Sequence, residues 1–201
     1  PPVLDLREAI KPGAPLVHPD LHTYEIGPAF FPIPHTNISN HFRIRKGDVE
    51  KGFAEADLIF EDEYYVPHIQ HSPIEPHAAI ALYDRQGKLT IWACSQSPFA
   101  MRNILANSLN WPMNRVRVIA PYVGGGFGGK AGLNVEATLV PLALKCRNSP
   151  IKLVCTREEE FRDTFVRQGM LCRLKTGVKA NGRIIAQEFE MYWDGGAFTE
   201  Y

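Results

Sequence analysis

The chain has 201 residues, 45% apolar and 22% charged, the proportions of an ordinary globular protein with room for one large domain or two small ones. Its 22 basic residues balance 22 acidic ones, which removes the usual electrostatic reason to bind nucleic acid or a membrane surface. The apolar runs are too short to span a bilayer, and the first residues lack the basic-then-apolar pattern of a signal peptide.

Residues 1–40 hold eight of the 16 prolines. Missing donors and fixed φ angles predict an extended connector there, without regular helix or sheet. Residues 41–46 are a short strand candidate, and Asp48 is placed to cap a brief helix through Ala56. From Asp57 the pattern turns β: 57–66 is rich in aromatic and branched residues, and 78–84 with 88–94 flank the turn signal Arg85-Gln86-Gly87. Ser97-Pro98 opens a helix to about Asn110, with Met101, Ile104, Leu105 and Leu109 on one stripe. A strand at 115–121, a glycine loop, and an apolar helix at 134–145 follow, with Pro141 predicting a kink or an early stop. Residues 151–155 form a strand, and Thr156 with Glu159 makes a capping-box pattern. The chain closes on strands at 170–180 and 183–193, joined by Asn181-Gly182. The expected fold is α+β, with mixed sheets and helices packed on them. Trp92, Phe99, Trp111 and Trp193 are expected in the core.

Cys94, Cys146, Cys155 and Cys172 form no CxxC pair and match no zinc spacing. Four reduced thiols in a cytoplasmic protein are expected. The chain opens without Met and stops after a strand-like run, so it reads as a piece of a longer protein.

The run Gly124–Lys130, GGGFGGK, lies between a strand and a helix. Glycine is costly in entropy and is used where φ must be positive or where something approaches the backbone closely. Consecutive backbone N–H groups near a helix start attract anions, so the loop reads as a cradle for an anionic cofactor. A tight unliganded turn is the plain alternative. Gly124, Gly129 and Lys130 also fit a P-loop, but Ala131 stands where that motif needs a hydroxyl for magnesium. Gly124, Gly126 and Gly129 fit a dinucleotide fingerprint, but no acidic residue lies at the expected distance. A nucleotide-phosphate-binding module using residues 124–130 therefore stays as the alternative function.

Other candidates have plain readings. His68, His71, Glu75 and His77 could suggest a metal, but prolines and strand geometry separate them, and no direct metal ligand is expected. Glu158-Glu159-Glu160 reads as a solvated face, and Arg157, Arg162 and Arg167 as surface residues.

The order Glu75-Pro76-His77-Ala78-Ala79, then Ser95-Gln96-Ser97, then GGGFGGK, resembles the molybdenum hydroxylases of the xanthine dehydrogenase and aldehyde oxidase family. The opening LREAIKPGAPLVHP and the closing DGGAF are similar as well. The resemblance implies a molybdenum–pterin cofactor, with residues 1–40 a connector from a preceding domain and 41–201 part of the cofactor-binding domain, cut at its C-terminal side. It places Gln96 as the amide donor to an oxo ligand, Phe127 and Gly128 against the metal centre, and Gly125 and Gly126 where the chain passes close to the cofactor. Xanthine-type enzymes carry a glutamate after GGK that binds the purine; here the substrate position is Ala131, which leaves another heterocycle or an aldehyde equally open. The implied reaction is hydroxylation of an electron-poor carbon by water, electrons leaving to iron–sulfur and FAD centres on partner domains or subunits. No carboxylate here matches the family's catalytic base, so this piece alone is expected to be inactive, bare of its cofactor, and prone to self-association through exposed apolar surface.

Overall fold

A computed structural model describes residues 2–24 and 31–197. In chain order the elements are α1 (Leu6–Ala9), α2 (Val49–Ala54), β1 (Leu58–Val66), β2 (Ile69–Gln70), β3 (Ala78–Tyr83), β4 (Leu89–Ala93), α3 (Pro98–Ser108), β5 (Val116–Ile119), α4 (Val135–Lys145), β6 (Ile151–Val154), α5 (Arg157–Asp163), β7 (Val166–Arg167), β8 (Gly169–Val178) and β9 (Ile184–Asp194), with single 3-10 turns at Leu21–Thr23 and Met113–Arg115. The fold is α+β. Two compact units divide the chain: Pro1–His68 with Gln168–Tyr201, and Ile69–Arg167.

The first unit is built on the antiparallel sheet β1-β8-β9. Gly177 of β8 faces α2, where an added Cβ would lie 3.1 Å from the Phe53 ring. Asp48 caps α2 by accepting from the Lys51 N–H at 2.9 Å. The proline-rich start is not wholly irregular. Residues 5–10 contain no proline, and Asp5 caps the one helical turn of α1 by accepting from the Arg7 N–H at 2.7 Å. Pro28 and the final Phe198 of DGGAF lie outside the described residues. Residues 41–46 are exposed and form no strand, because no strand among the described residues pairs with them. The Asn181-Gly182 turn exists, with only Gly182 at positive φ (84°).

The second unit holds the sheet β5-β4-β3-β6, in which β4 and β5 are parallel and joined through α3. Alternation dictates its faces: Ala79, Ala81 and Tyr83 of β3 and Leu89, Ile91 and Ala93 of β4 are buried. Against them pack Met101, Leu105 and Ala106 of α3 and Leu139, Val140 and Ala143 of α4. Pro141 neither stops nor shortens α4, which continues to Lys145. Three expected core residues are outside the core: Phe99 is 75% exposed, Trp193 57%, and Trp92 is half-buried on the face of β4 opposite Leu89, Ile91 and Ala93. Phe99 sits in the first turn of α3, a position off the buried Met101–Leu105 stripe. Ile104 is likewise exposed. All four cysteines are free; Cys94, Cys155 and Cys172 are buried and Cys146 is exposed. No helix among the described residues is long and apolar enough to cross a membrane.

Truncating a fully buried side chain such as Leu139→Ala should cost about 2–5 kcal/mol in urea unfolding, while Phe99→Ala should stay within about 0.5 kcal/mol. A large penalty at Phe99 would contradict its exposed placement.

Candidate functional site

The loop of residues 120–134 connects β5 to α4, and Gln96 enters it from the β4–α3 connection. The Gln96 backbone N–H donates to the Lys130 carbonyl at 2.9 Å. Its side-chain Oε1 accepts from the N–H of Gly128 at 3.0 Å and of Lys130 at 3.2 Å. Two backbone donors aimed at one atom identify that atom as the oxygen, so the amide NH2 must point the other way. That NH2 has no protein acceptor among the described residues, and Gln96 is exposed. Room for the side chain comes from Gly126: a Cβ there would lie 2.4 Å from Gln96 Oε1 and 2.5 Å from Cδ. Gly128 takes φ 98°, a left-handed conformation that disfavours any other residue. Phe127 also has positive φ (52°), and its ring is 73% exposed. Gln96, Gly126, Phe127 and Gly128 thus meet at one open surface, with Gly125 preceding them. Ala131 is exposed, its N–H donating to the Gly128 carbonyl at 3.2 Å.

The loop is only partly an anion cradle. Gly124 N–H is taken by Glu75 Oε2 at 2.8 Å, Gly128 and Lys130 by Gln96, and Gly129 by the Gly126 carbonyl at 2.8 Å. The N–H groups of Gly125, Gly126 and Phe127 remain without a protein acceptor among the described residues. Residues 131–134 separate the loop from α4, so the donors do not sit at that helix's first turn. Lys130 points inward. Its side chain has no exposed surface, and Nζ donates at 2.7 Å to both the Glu75 carbonyl and Glu75 Oε2. Partial desolvation would raise the Glu75 carboxyl, but hydrogen bonds from Lys130 and the Gly124 N–H outweigh it and hold the group below its usual range.

Beneath the loop lies the segment 70–77, fixed from α5. Arg157 Nη2 donates to the carbonyls of Pro73 at 2.6 Å and Ile74 at 2.9 Å. Gln70 Nε2 donates to the Glu160 carbonyl and to Thr164 Oγ1, both at 2.6 Å. The Glu160 carboxylate accepts from the His77 N–H at 2.8 Å and lies 2.8 Å from His77 Nδ1. His77 Nε2 is 3.1 Å from the Gly129 carbonyl and 3.0 Å from Asn134 Nδ2. The acidic run is therefore not one solvated face: Glu160 is fully buried, while Glu158 pairs with Arg162 on the surface at 2.9 Å and Glu159 completes the capping box. Nor is Arg157 idle surface. These anchors escaped the sequence reading because the contacts join residues more than eighty positions apart. Burial and the neighbouring charges of Glu160, Glu159 and Asp163 push the Cys155 thiol up to about 11. No group of three metal-ligating side chains occurs among the described residues, and Glu75 and His77 are each committed to other partners.

The residues fit an oxygen-rich, anionic cofactor by their own chemistry: spare backbone donors, a spare amide donor, and a surface left open by glycine. The profile of the molybdopterin cofactor-binding domain matches residues 30–201, which places the chain in that class. The chain belongs to the xanthine dehydrogenase and aldehyde oxidoreductase family. It is 32% identical over 199 residues to the nicotinate dehydrogenase large molybdopterin subunit of Eubacterium barkeri, covering 99% of this chain and 43% of that protein. It is 33% identical to the xanthine dehydrogenase/oxidase of Felis catus, covering 96% of this chain and 15% of the relative. Among solved structures, the reconstituted CO dehydrogenase from Oligotropha carboxidovorans superposes with a TM-score of 0.73 at 26% identity, over 94% of this chain and 24% of that one. The chain spans less than half the length of these relatives.

Gly126→Ala should destabilise the unit by about 1–3 kcal/mol by driving a methyl into the Gln96 amide. In the double variant with Gln96→Ala most of that cost should vanish, a coupling that a double-mutant cycle in urea reads directly. The depressed Glu75 carboxyl adds stability above its usual value of 4.5 and loses it as pH falls through its lower folded value. Glu75→Gln should therefore flatten the decline in stability between about pH 5 and 3, measured by denaturant titration at each pH.

Proposed function

We propose that this chain supplies the Gln96 half of a molybdenum–pterin site in a cytoplasmic oxidoreductase that hydroxylates an electron-poor carbon of a heterocycle or aldehyde with water. The observation that carries the reading is the Gln96 clamp: its oxygen is held by Gly128 and Lys130 N–H groups, leaving the NH2 as an outward donor beside the open loop. The cofactor, when bound, supplies the two-electron redox chemistry. Gln96 would donate to an oxo-type ligand without adding charge, and the Gly125, Gly126 and Phe127 N–H groups would donate to the cofactor's anionic atoms. Phe127 and Gly128 would form its floor and exclude water. Ala131 stands at the substrate position with a methyl in place of a carboxylate, which leaves another heterocycle, an aldehyde or another small substrate as open as a purine.

On this reading residues 1–40 are a connector and 41–201 part of the cofactor-binding domain, with the catalytic base and the rest of the pterin grip on further parts of the molybdenum subunit. Iron–sulfur and FAD domains or subunits carry the electrons onward, and residues 1–201 by themselves are inactive. The nucleotide-phosphate alternative is disfavoured by Lys130, whose ammonium faces Glu75 with no exposed surface, and by the methyl of Ala131.

Elemental and pterin analysis of the full-length protein tests the reading, with molybdenum and pterin expected together. Gln96→Ala should keep the protein folded and lower kcat by about 10²–10³-fold, the effect of losing one preorganised donor. Unchanged turnover in that variant, or ATP or NAD binding without molybdenum, would sink the assignment.

A further inference from the structure

His71 belongs to no pairing described so far, yet the residues on either side of it are anchored. Ser72 N–H donates to Gln70 Oε1 at 3.0 Å, and the Ser72 hydroxyl donates to the Gln70 carbonyl at 3.3 Å. On the other side Pro73 is fully buried and its carbonyl is taken by Arg157. Between these anchors the imidazole lies directly under the glycine loop. A Cβ on Gly129 would be 2.9 Å from His71 Nδ1 and 3.1 Å from its Cγ, and a Cβ on Gly128 would be 3.6 Å from Nε2. Nδ1 is sealed from solvent and has no hydrogen-bond partner among the described residues. Too little space remains between Nδ1 and the Gly129 backbone for even a methyl, so no water fits on that side.

This geometry discriminates between the two neutral tautomers. A proton on Nδ1 would bury an unpaired N–H donor against a CH2 group, whereas a proton on Nε2 leaves Nδ1 as an unpaired acceptor. Buried orphan donors are the rarer of the two in folded proteins. The ring is thus arranged to carry its proton on Nε2. That nitrogen is not among the sealed atoms, donates to no protein group among the described residues, and borders Gly128, the residue whose N–H is held by Gln96.

We infer that His71 is a second side-chain donor of this site, its Nε2–H offered beside Gly128 to an electron-rich oxygen of the bound cofactor or of the substrate. The inference rests on the cofactor reading above and adds to it a residue outside the loop. Gln96 and His71 would then flank Gly128 with one neutral donor each.

The test uses the full-length protein purified with its cofactor, in three variants. His71→Gln brings an amide nitrogen near the Nε2 position, His71→Asn reaches only to Nδ1, and His71→Phe keeps the ring shape without a donor. A donor role predicts that Gln stays within about threefold of wild type while Asn and Phe lose about 10–100-fold, the usual effect of removing a supporting hydrogen bond at a metal site. A purely packing role predicts the reverse order, with Phe the mildest. Molybdenum content and the electron paramagnetic resonance signature of the substrate-free reduced protein report contact with a cofactor oxygen. A raised KM with both unchanged reports contact with a substrate oxygen. Phe equalling or exceeding Gln in a molybdenum-containing protein overturns this inference alone, and a wild-type protein without molybdenum or pterin overturns the cofactor reading with it.

Discussion

The site depends on one side chain entering a backbone loop. Gln96 Oε1 is held by two N–H groups of the glycine loop, and the Gln96 main chain adds a third bond to Lys130. No small rotation of the amide is free once these are made. The clamp exists only because Gly126 lacks a Cβ, so the glycine run acts less as a flexible tether than as a socket. Its effect is to convert a floppy, exposed glutamine into a donor of fixed direction, and preorganisation of that kind lets a neutral group stabilise developing charge without reorganising.

The socket has its own support. Glu75 ties the loop's first N–H and the buried Lys130 ammonium to the segment 70–77, and that segment is tied in turn to α5 by Arg157, Glu160 and Gln70. His77 joins both layers, with Glu160 on one ring nitrogen and the Gly129 carbonyl and Asn134 amide on the other. A buried carboxylate and a buried ammonium would each be expensive alone. Here the Lys130 ammonium is bonded to Glu75 and the Glu160 carboxylate to His77, so disturbing one member leaves another stranded. The loop's position is therefore set by polar contacts beneath it as much as by the apolar core.

The regular elements of the second unit were legible because alternation and caps are local signals: β3, β4, α3, β6 and the Thr156–Glu159 capping box stand close to where the pattern put them. Residues 41–46 misled because strand propensity is realised only when a neighbour pairs, and none among the described residues does. Gln96 and the loop could be brought together from motif order, whereas Glu160 could not be told from its neighbours Glu158 and Glu159. Three consecutive glutamates on a short helix look alike in sequence, and only tertiary contact with His77 singles one out. Phe99 failed for a related reason: a large aromatic in a helix's first turn can point away from the stripe that defines the core.

A glycine-rich loop between strand and helix is a weak pointer to any one ligand, and the disposition of its donors and its lysine is what narrows it. A loop that grips a phosphate keeps its lysine extended toward the anion and its N–H groups unspent. In this chain the lysine is turned inward and several donors are consumed by Glu75, Gln96 and the loop's own Gly126 carbonyl. What is left is a short arc of N–H groups at Gly125–Phe127 beside one amide, with an exposed aromatic ring at its rim. Such an arc cannot neutralise a triphosphate, which needs a cation and many donors at once. It suits a ligand that needs a few neutral donors placed in fixed directions, and that requirement, rather than the glycine count, separates this loop from the nucleotide cradles its sequence resembles.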